Sequence, residues 1–514
     1  MVPPDGGSRI LFFSGGTALA PVAAELSRHT RNAVHVITTF DSGGSSAELR
    51  RAFDMPAVGD IRARIMALAD RSLEGNPETV ELLGYRLPKD AGPEALHREL
   101  ASLASGAHPL VAAIPEPMNE VVTQHLSAFR SLMPVDMDLA GASIGNLILT
   151  SGYLSLDRQL EPVVRVFSGM VQARGVVMPV ADSCAHLCVR LENGEVIVGQ
   201  HRFTGKTATS ITSPILDMWL SASLDDPSPV SVPIQPRLAH VIRTADLICY
   251  PVGSFFSSVM ANLLPLGVSC AVREAACPKV FIPNLGTDPE LFGLTVQDQV
   301  AYLLRFGADG CPAGQALNWL LVDEDESRYL GGIPYEWLAR LGIRVRKAHL
   351  VSEPPYLDAG LLCRELLGDW KYHLDGVGFD GHVLPGVVVV RRYGRIVDDL
   401  VAAREHVLAD DGTLRKGLVE HLNGAAGRVG LAATLDHGGF GRTRERALAV
   451  GPEVLDVVET FGRPAAHGIK HAVVVRHDPV DVGKLSVARS GNGLGNRHGV
   501  RGQGNGETER ERHE

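Results

Sequence analysis

Two short segments, Ser14-Gly15-Gly16-Thr17-Ala18 and Asp41-Ser42-Gly43-Gly44-Ser45-Ser46, carry the residue types that hold phosphate. Glycine lets backbone N–H groups come close to an anion and tolerates positive φ, and a helix starting at the turn adds partial positive charge. The second segment adds a carboxylate, Asp41, and a carboxylate beside phosphate points to Mg2+. Neither segment matches a standard fingerprint. G-x-G-x-x-G is absent, and Thr204-Gly205-Lys206-Thr207 lacks the first glycine of a P-loop, because Gln200 stands there. Lys206 therefore reads as a solvated loop lysine.

The elements around these turns are legible from periodicity. Arg9 to Phe13 is a buried-strand pattern, and Leu19 to Arg28 repeats apolar residues at helical spacing, giving strand, glycine turn, helix. Val34 to Thr39 is a second strand leading into Asp41. Ala245 to Tyr250 is another, running into Gly253-Ser254 and an apolar helix through Leu264, and Lys279 to Ile282 repeats the alternation. Such alternation predicts an α/β fold with a doubly wound, Rossmann-like, mostly parallel sheet whose ligands bind at the carboxyl ends of its strands. Gly15, Thr17, Asp41, Gly44, Asp60, Ser254 and Asn284 would then share one edge. The segment Leu87 to Pro134 reads as mainly helical, broken at Gly106-Ala107-His108-Pro109, and is expected to cap the cleft.

Further along come Glu48-Leu49-Arg50-Arg51, Pro56-Ala57-Val58-Gly59-Asp60-Ile61-Arg62 and Ala67-Leu68-Ala69-Asp70. In that order, these segments and the two turns resemble the CofD/YvcK family, with its GGTG, DDGGSSG-x-LR and PPGDIRN-x-L-x-ALAD patterns. The resemblance continues through Gly141 to Leu147, Pro179 to Asp182, Gly199 to His201, Pro251 to Ser258 and Lys279 to Thr287, and covers about residues 8 to 368. Departures are visible: Ala18, Phe40, Ala63-Arg64, Val252, Glu290 and Gln299 stand where the pattern has other residues. They suggest a divergent subgroup, and FDSGGSS with PAVGD is associated with the CofD-like proteins of the GAK system, which are thought to work beside an ATP-grasp partner.

The resemblance implies a nucleoside-diphosphate-linked ligand of the GDP or UDP type, and one of two activities. One is 2-phospho-L-lactate transferase-like chemistry, with Asp41 and Asp60 catalytic and holding Mg2+. Backbone amides at Gly15, Gly16, Gly43 and Gly44 would stabilise the leaving diphosphate, with Ser45, Ser46 and Arg62 adding hydrogen bonds or charge. The alternative is a YvcK-like, non-catalytic UDP-sugar-binding regulator of carbon metabolism or cell-wall synthesis. Thr17, Gly59, Asn146, Gly253, Ser254, Asn284 and Thr287 complete the expected nucleotide site, and Asp182 is a further contact. An assembly role, docking a partner protein through the C-terminal region, is a third class.

Composition narrows the field. The chain has 514 residues, 45% hydrophobic and 21% charged, with a net charge of −10 and 5% aromatic residues. Scattered basic residues and few aromatics argue against nucleic acid, and no apolar run reaches the ~20 residues that cross a bilayer. A cytoplasmic homo-oligomer is expected. The 7 cysteines fit reduced thiols. Cys184, His186 and Cys188 would share a strand face but lack a fourth zinc ligand nearby. Gly141-Ala142-Ser143-Ile144-Gly145 matches the nucleophile elbow of serine esterases, a remote alternative because Met137 to Ala140 is too short and polar for the strand an elbow needs. Residues 371–485 carry apolar runs at Val383 to Val390, Leu418 to Leu422 and His471 to Val475, expected to form a small α/β or α+β extension. Thr434 to Arg442 echoes the Asp41 turn, and 486–514 is expected to be a disordered tail.

Overall fold

Ile10–Ser14 and Val34–Ile37 are buried at every position, the pattern of strands covered on both faces, and they form β1 and β2 of a seven-stranded parallel sheet. The computed structural model describes 7–72, 75–204, 211–285, 288–354 and 356–370, together with three strands between 446 and 476. The chain divides into two compact units, 1–376 and 377–514. In the first unit, β3 is Val176–Pro179, and β4 (His186–Leu191), β5 (Val196–Val198) and β6 (Ile215–Ser221) make a separate antiparallel sheet in the order β5-β4-β6. Then come β7 (Leu247–Tyr250), β8 (Lys279–Phe281), β9 (Trp319–Asp323) and β10 (Arg344–Ala348).

The large sheet runs β10-β9-β8-β7-β1-β2-β3, with every neighbouring pair parallel. The chain winds outward from β1 through β2 to β3, returns to the other side of β1 at β7, and winds outward again. The order therefore reverses between β1 and β7, and a doubly wound sheet opens a ligand crevice at that reversal, outside the carboxyl ends of the strands.

Helices α1 (Ala20–Leu26) and α2 (Gly44–Phe53) follow β1 and β2, and α3 (Gly59–Leu68) follows α2. Prolines at the first positions of α4 (Pro77–Gly84), α5 (Pro93–Ala104) and α6 (Pro109–Ala112) fix where each starts. With α7 (Met118–Leu132), α8 (Ile144–Ser155) and α9 (Leu160–Met170) they complete a helical layer. The break before α6 is real: Gly106 takes φ +78, and the His108 ring accepts the Leu110 N–H at 3.3 Å. Helices α10 (Pro236–Arg243), α11 (Val268–Glu274), α12 (Val296–Gly307), α13 (Tyr335–Arg340) and α14 (Ala359–Leu366) accompany the second half of the sheet. The expected helix after Gly253 is instead a π-helical turn at Phe255–Val259 followed by a 3-10 turn at Met260–Leu263.

Alternation along β1 sorts its side chains between two cores. Leu11 and Phe13 join Val36, Tyr250 and Leu187, while Ile10 and Phe12 join Leu26, Cys249 and Leu362. A third core holds the helical layer through Leu83, Leu126 and Phe129. Among the described residues no helix is long and apolar enough to cross a membrane.

In the second unit, Arg446–Val450, Glu453–Val458 and Val473–Arg476 form an antiparallel sheet in sequence order, the last overlapping the His471 to Val475 run. The runs at 383–390 and 418–422, the turn at 434–442 and the segment 486–514 lie outside the described residues, as does Lys206.

Phe13 is fully buried, with its ring 5.7 Å from that of Tyr250 across the β1–β7 boundary. Phe13→Ala should cost about 3–5 kcal/mol in chemical denaturation of the full chain.

Candidate functional site

The turn after β1 is shaped by what packs on it. A Cβ on Gly15 would lie 2.4 Å from Ser258 Oγ, and one on Gly16 would lie 2.6 Å from Asp60 Oδ1 and 2.8 Å from Asp60 Cα. Glycine is required here by close approach. Asp60 sits in the first turn of α3, where a carboxylate is favoured by the helix dipole. Arg64, one helical turn further on, is fully buried and donates from Nη2 to the Gly15 carbonyl at 2.8 Å and to Ser14 Oγ at 3.4 Å. Burial pulls its pKa down to about 10, against the raising effect of Asp60, so it stays charged at neutral pH. His35, stacked on Phe12 at 5.1 Å, is held in the neutral form first by its own complete burial and then by the Arg64 charge. Asn262 ties this turn to the next segment, donating to the carbonyls of Ser14 at 3.2 Å and Ser258 at 2.7 Å. Thr17 is exposed, and its carbonyl accepts the Ala20 N–H.

The turn after β2 leads into α2. Gly43 is the N-cap, no side chain caps the helix, and its first turn holds no acid. Gly44 takes φ +54, with open space where a Cβ would point. An uncapped helix head of this kind leaves N–H groups for an anion. Asp41 Oδ1 accepts the Gly43 N–H at 3.1 Å, and Ser42 Oγ lies 2.7 Å from His201 Nδ1. Arg50 staples the turn from inside, donating to the carbonyls of Phe40 at 3.1 Å, Asp41 at 2.9 Å and Ala185 at 2.6 Å. Phe40 is fully buried, leaving Asp41 as the one carboxylate of this segment. Ser46 is buried, and a Cβ on Gly59 would meet its hydroxyl at 2.6 Å, so α2 and α3 start against each other. Ser45 continues the α2 backbone.

Arg62 lies along α8: a Cβ on Gly145 would be 2.8 Å from its Cδ. Burial and then the neighbouring Arg86 lower its pKa to about 10, with Asp60 opposing. Asn146, the next residue of α8, is buried. A cavity of about 240 Å³ separates the heads of α2 and α8, lined by residues including Gly44, Leu49, Met137 and Ser143.

Across the strand-order reversal the turn after β7 is built differently. Asn284 clamps Gly253, accepting its N–H at 2.9 Å and donating to its carbonyl at 2.6 Å. The amides beyond Ser254 are held by carboxylates: Phe255 N–H donates to Asp288 at 2.8 Å, and those of Phe256 and Ser257 to Glu290 Oε2 at 2.9 and 2.8 Å. The Ser257 hydroxyl donates to Glu290 Oε1. Complete burial, then Asp288, push the Glu290 carboxyl up to about 8. The structure thus brings Gly15, Gly16 and Asp60 together at the head of α3, with Arg62 on the same helix turned to α8 at Gly145, gathers Asp41 to Ser46 at the head of α2, and joins Gly253 to Asn284; Thr287 lies outside the described residues.

Two motifs that the sequence offers only as remote alternatives have definite surroundings. Ser143 is no nucleophile elbow: it is the fully buried N-cap of α8 with ordinary extended φ −87 and ψ 127, its one strand-like contact an isolated bridge to Arg86. Cys184 and His186 flank a cation, because Arg50 Nη2 lies 3.6 Å from Cys184 Sγ and 3.4 Å from His186 Nε2, a position no metal ion would share. Among the described residues no group of three His, Cys, Asp or Glu side chains is placed to hold a metal. Asp41 and Asp60 are of the oxygen-donor type Mg2+ takes, and fit it only where a ligand's phosphates and water complete the shell. Asp182 Oδ2 accepts from Gln235 at 3.3 Å.

A family model described as 2-phospho-L-lactate transferase CofD matches residues 10–333. A putative gluconeogenesis factor of Thermotoga maritima is 24% identical over 318 residues, covering 61% of this chain and 78% of that protein. The gluconeogenesis factor of Bacillus subtilis is 28% identical over 296 residues, 57% of this chain and 74% of that one. A UPF0052-family protein of Bacillus halodurans superposes with a TM-score of 0.52 at 20% identity, covering 70% of this chain and 99% of that structure, a likeness of fold.

Gly16→Ala forces a methyl against the Asp60 backbone and should destabilise by about 1–3 kcal/mol in thermal or urea unfolding. Glu290 carries a raised pKa, so its contribution is full below the ordinary carboxylate range and is lost as pH rises through about 8. Denaturation curves from pH 5 to pH 9 should therefore show stability falling toward the alkaline end, with Glu290→Gln removing that slope.

Proposed function

Because this chain belongs to the CofD family, described as 2-phospho-L-lactate transferase, we propose that it binds a nucleoside-diphosphate-linked small molecule across the carboxyl ends of β1 and β2. The observation that carries this reading is the uncapped head of α2, with Gly43 as N-cap and open space at Gly44, beside a glycine turn at the reversal of strand order. A diphosphate needs several donors converging on one small volume, and helix heads and glycine turns supply them as backbone N–H groups without desolvating further charges. Gly15, Gly16, Thr17, Gly43, Gly44, Ser45, Ser46, Gly59 and Arg62 make up this side of the proposed site. Asn146, Gly253, Ser254, Asn284 and Thr287 belong to its more remote wall.

Family membership supports transfer of a phosphorus-containing group, with Asp41 or Asp60 as proton acceptor for an incoming hydroxyl. Mg2+ held between these carboxylates and the ligand's diphosphate would offset charge on the leaving group. The protein's own part is to orient the diphosphate on fixed backbone dipoles.

The second reading is a non-catalytic UDP-sugar-binding regulator. It is favoured by relatives whose names are gluconeogenesis factor, and by Phe40, which leaves one carboxylate in the β2 turn.

Thermal unfolding of the full chain against GDP, UDP, ADP and UDP-sugars tests the shared premise, with stabilisation of ~2.7 kcal/mol expected at a hundredfold excess over Kd. No shift with any of them overturns the reading. Release of GMP from a GDP-linked donor with Mg2+ and a hydroxyl acceptor, the acceptor oxygen taking the distal phosphoryl group as the P–O–P bond breaks, and reduced at least about tenfold in Asp41→Asn, would favour the transferase; UDP-sugar stabilisation without turnover would favour the regulator.

A further inference from the structure

The β1 turn rests on a buried cation. Arg64 is fully buried, and beyond its bonds to Gly15 and Ser14 its Nε and Nη1 have no hydrogen-bond partner. Beside it His35 is buried and neutral, with both ring nitrogens also unpartnered. Arg62, on the same helix, has a buried unpartnered Nε and feels a second guanidinium, Arg86, as its neighbour. Asp60 is the carboxylate whose charge acts on both Arg62 and Arg64.

Burying a guanidinium is costly unless an opposite charge lies near, and here two of them share one carboxylate while the adjoining β2 turn contributes one more, Asp41. With Arg86 beside Arg62, three guanidiniums stand against two carboxylates, and the local balance is short of negative charge. The bond from Arg64 to the Gly15 carbonyl also sets the direction of the peptide. In a trans peptide the C=O and N–H point opposite ways, so a carbonyl turned inward to Arg64 turns the Gly16 N–H away from it.

We propose that Arg64 is the built-in cation of the phosphate site: a positioning residue that fixes the Gly15–Gly16 peptide and, with Arg62, supplies the charge a diphosphate needs, so that binding proceeds without Mg2+. This rests on the phosphate-site reading and specifies its ionic requirement. The ligand class is a di- or trianionic phosphate, and any role of Mg2+ falls on group transfer rather than on affinity. Asp60 then acts on affinity in the sense opposite to that of a metal ligand, because it opposes the guanidiniums that attract the ligand.

Calorimetric titration of the full chain with inorganic pyrophosphate and with GDP, in EDTA and in Mg2+, reads this out. Wild type should bind in EDTA within about threefold of its affinity in Mg2+. Arg64→Met should weaken binding in EDTA by about tenfold or more, with Arg64→Lys recovering part of the loss. Asp60→Asn, nearly isosteric beside Gly16, should bind in EDTA at least as tightly as wild type, and it keeps the test open if Arg64→Met fails to fold. Loss of wild-type binding in EDTA, or loss of binding in Asp60→Asn, overturns the proposal. So does a folded Arg64→Met with wild-type affinity, the behaviour of an arginine that serves the fold alone. Failure of wild type to bind either probe with or without Mg2+ instead overturns the phosphate site itself.

Discussion

The first turn of α3 lies so close to the β1 turn that the Cα of Asp60 is 2.8 Å from where a Gly16 Cβ would be. That contact leaves little freedom to its surroundings. It sets the Asp60 carboxylate over the glycine turn, and helical geometry then places Arg64, four residues on, on the same face and beneath the turn. Arg62 is rotated away and runs along α8 at Gly145, while Ser258 closes on Gly15 from the segment after β7. Three stretches distant in sequence are thus registered on two glycines, and displacement of any one would move the others.

The charges are distributed unequally about the reversal of strand order. On the β1–β2 side the α2 head is uncapped and buried guanidiniums stand behind the turn; on the β7–β8 side Asp288 and Glu290 hold the amides of Phe255, Phe256 and Ser257. Both sides have the backbone geometry that attracts anions, yet one has been satisfied internally. A carboxylate bound within the fold competes for the N–H groups it holds, so the amides of Phe255, Phe256 and Ser257 are taken, whereas the α2 head beyond Gly43 has no side-chain cap. The raised pKa of Glu290 is the counterpart of this arrangement, since full burial makes its ionised form costly even with three donors.

Strands, glycine turns and the parallel sheet were legible because each is written locally: Ile10 to Phe13 and Val34 to Ile37 are continuous apolar runs, and each ends in a glycine turn followed by a helix. The strand-order reversal at β7 was not, because pairing between Phe12 and Cys249 joins segments whose separation no local pattern encodes. Arg64 and Glu290 were visible as departures from a family pattern, without their roles. The i, i+4 spacing of Asp60 and Arg64 was a signal for the first. The second acts through bonds to a segment more than thirty residues earlier, which spacing cannot reveal. Arg50 was read as part of a motif, while its function, joining the carbonyls of Phe40 and Asp41 to that of Ala185, depends on the small antiparallel sheet.

Buried charge also bears on how far the site is preformed. Guanidiniums that share one carboxylate raise the energy of the empty protein, and a ligand of the proposed class, supplying further negative charge, would recover that energy on binding, coupling affinity and stability through the same residue. The backbone of the β1 turn does not have to reorganise for this, because Gly15 is already held by Arg64 and Gly16 by its contact with Asp60. What remains adjustable is the open side, the α2 head at Gly44 and the cavity leading to Ser143. On the proposed reading, a rigid, charged floor would order the phosphates and an open wall would discriminate the group attached to them.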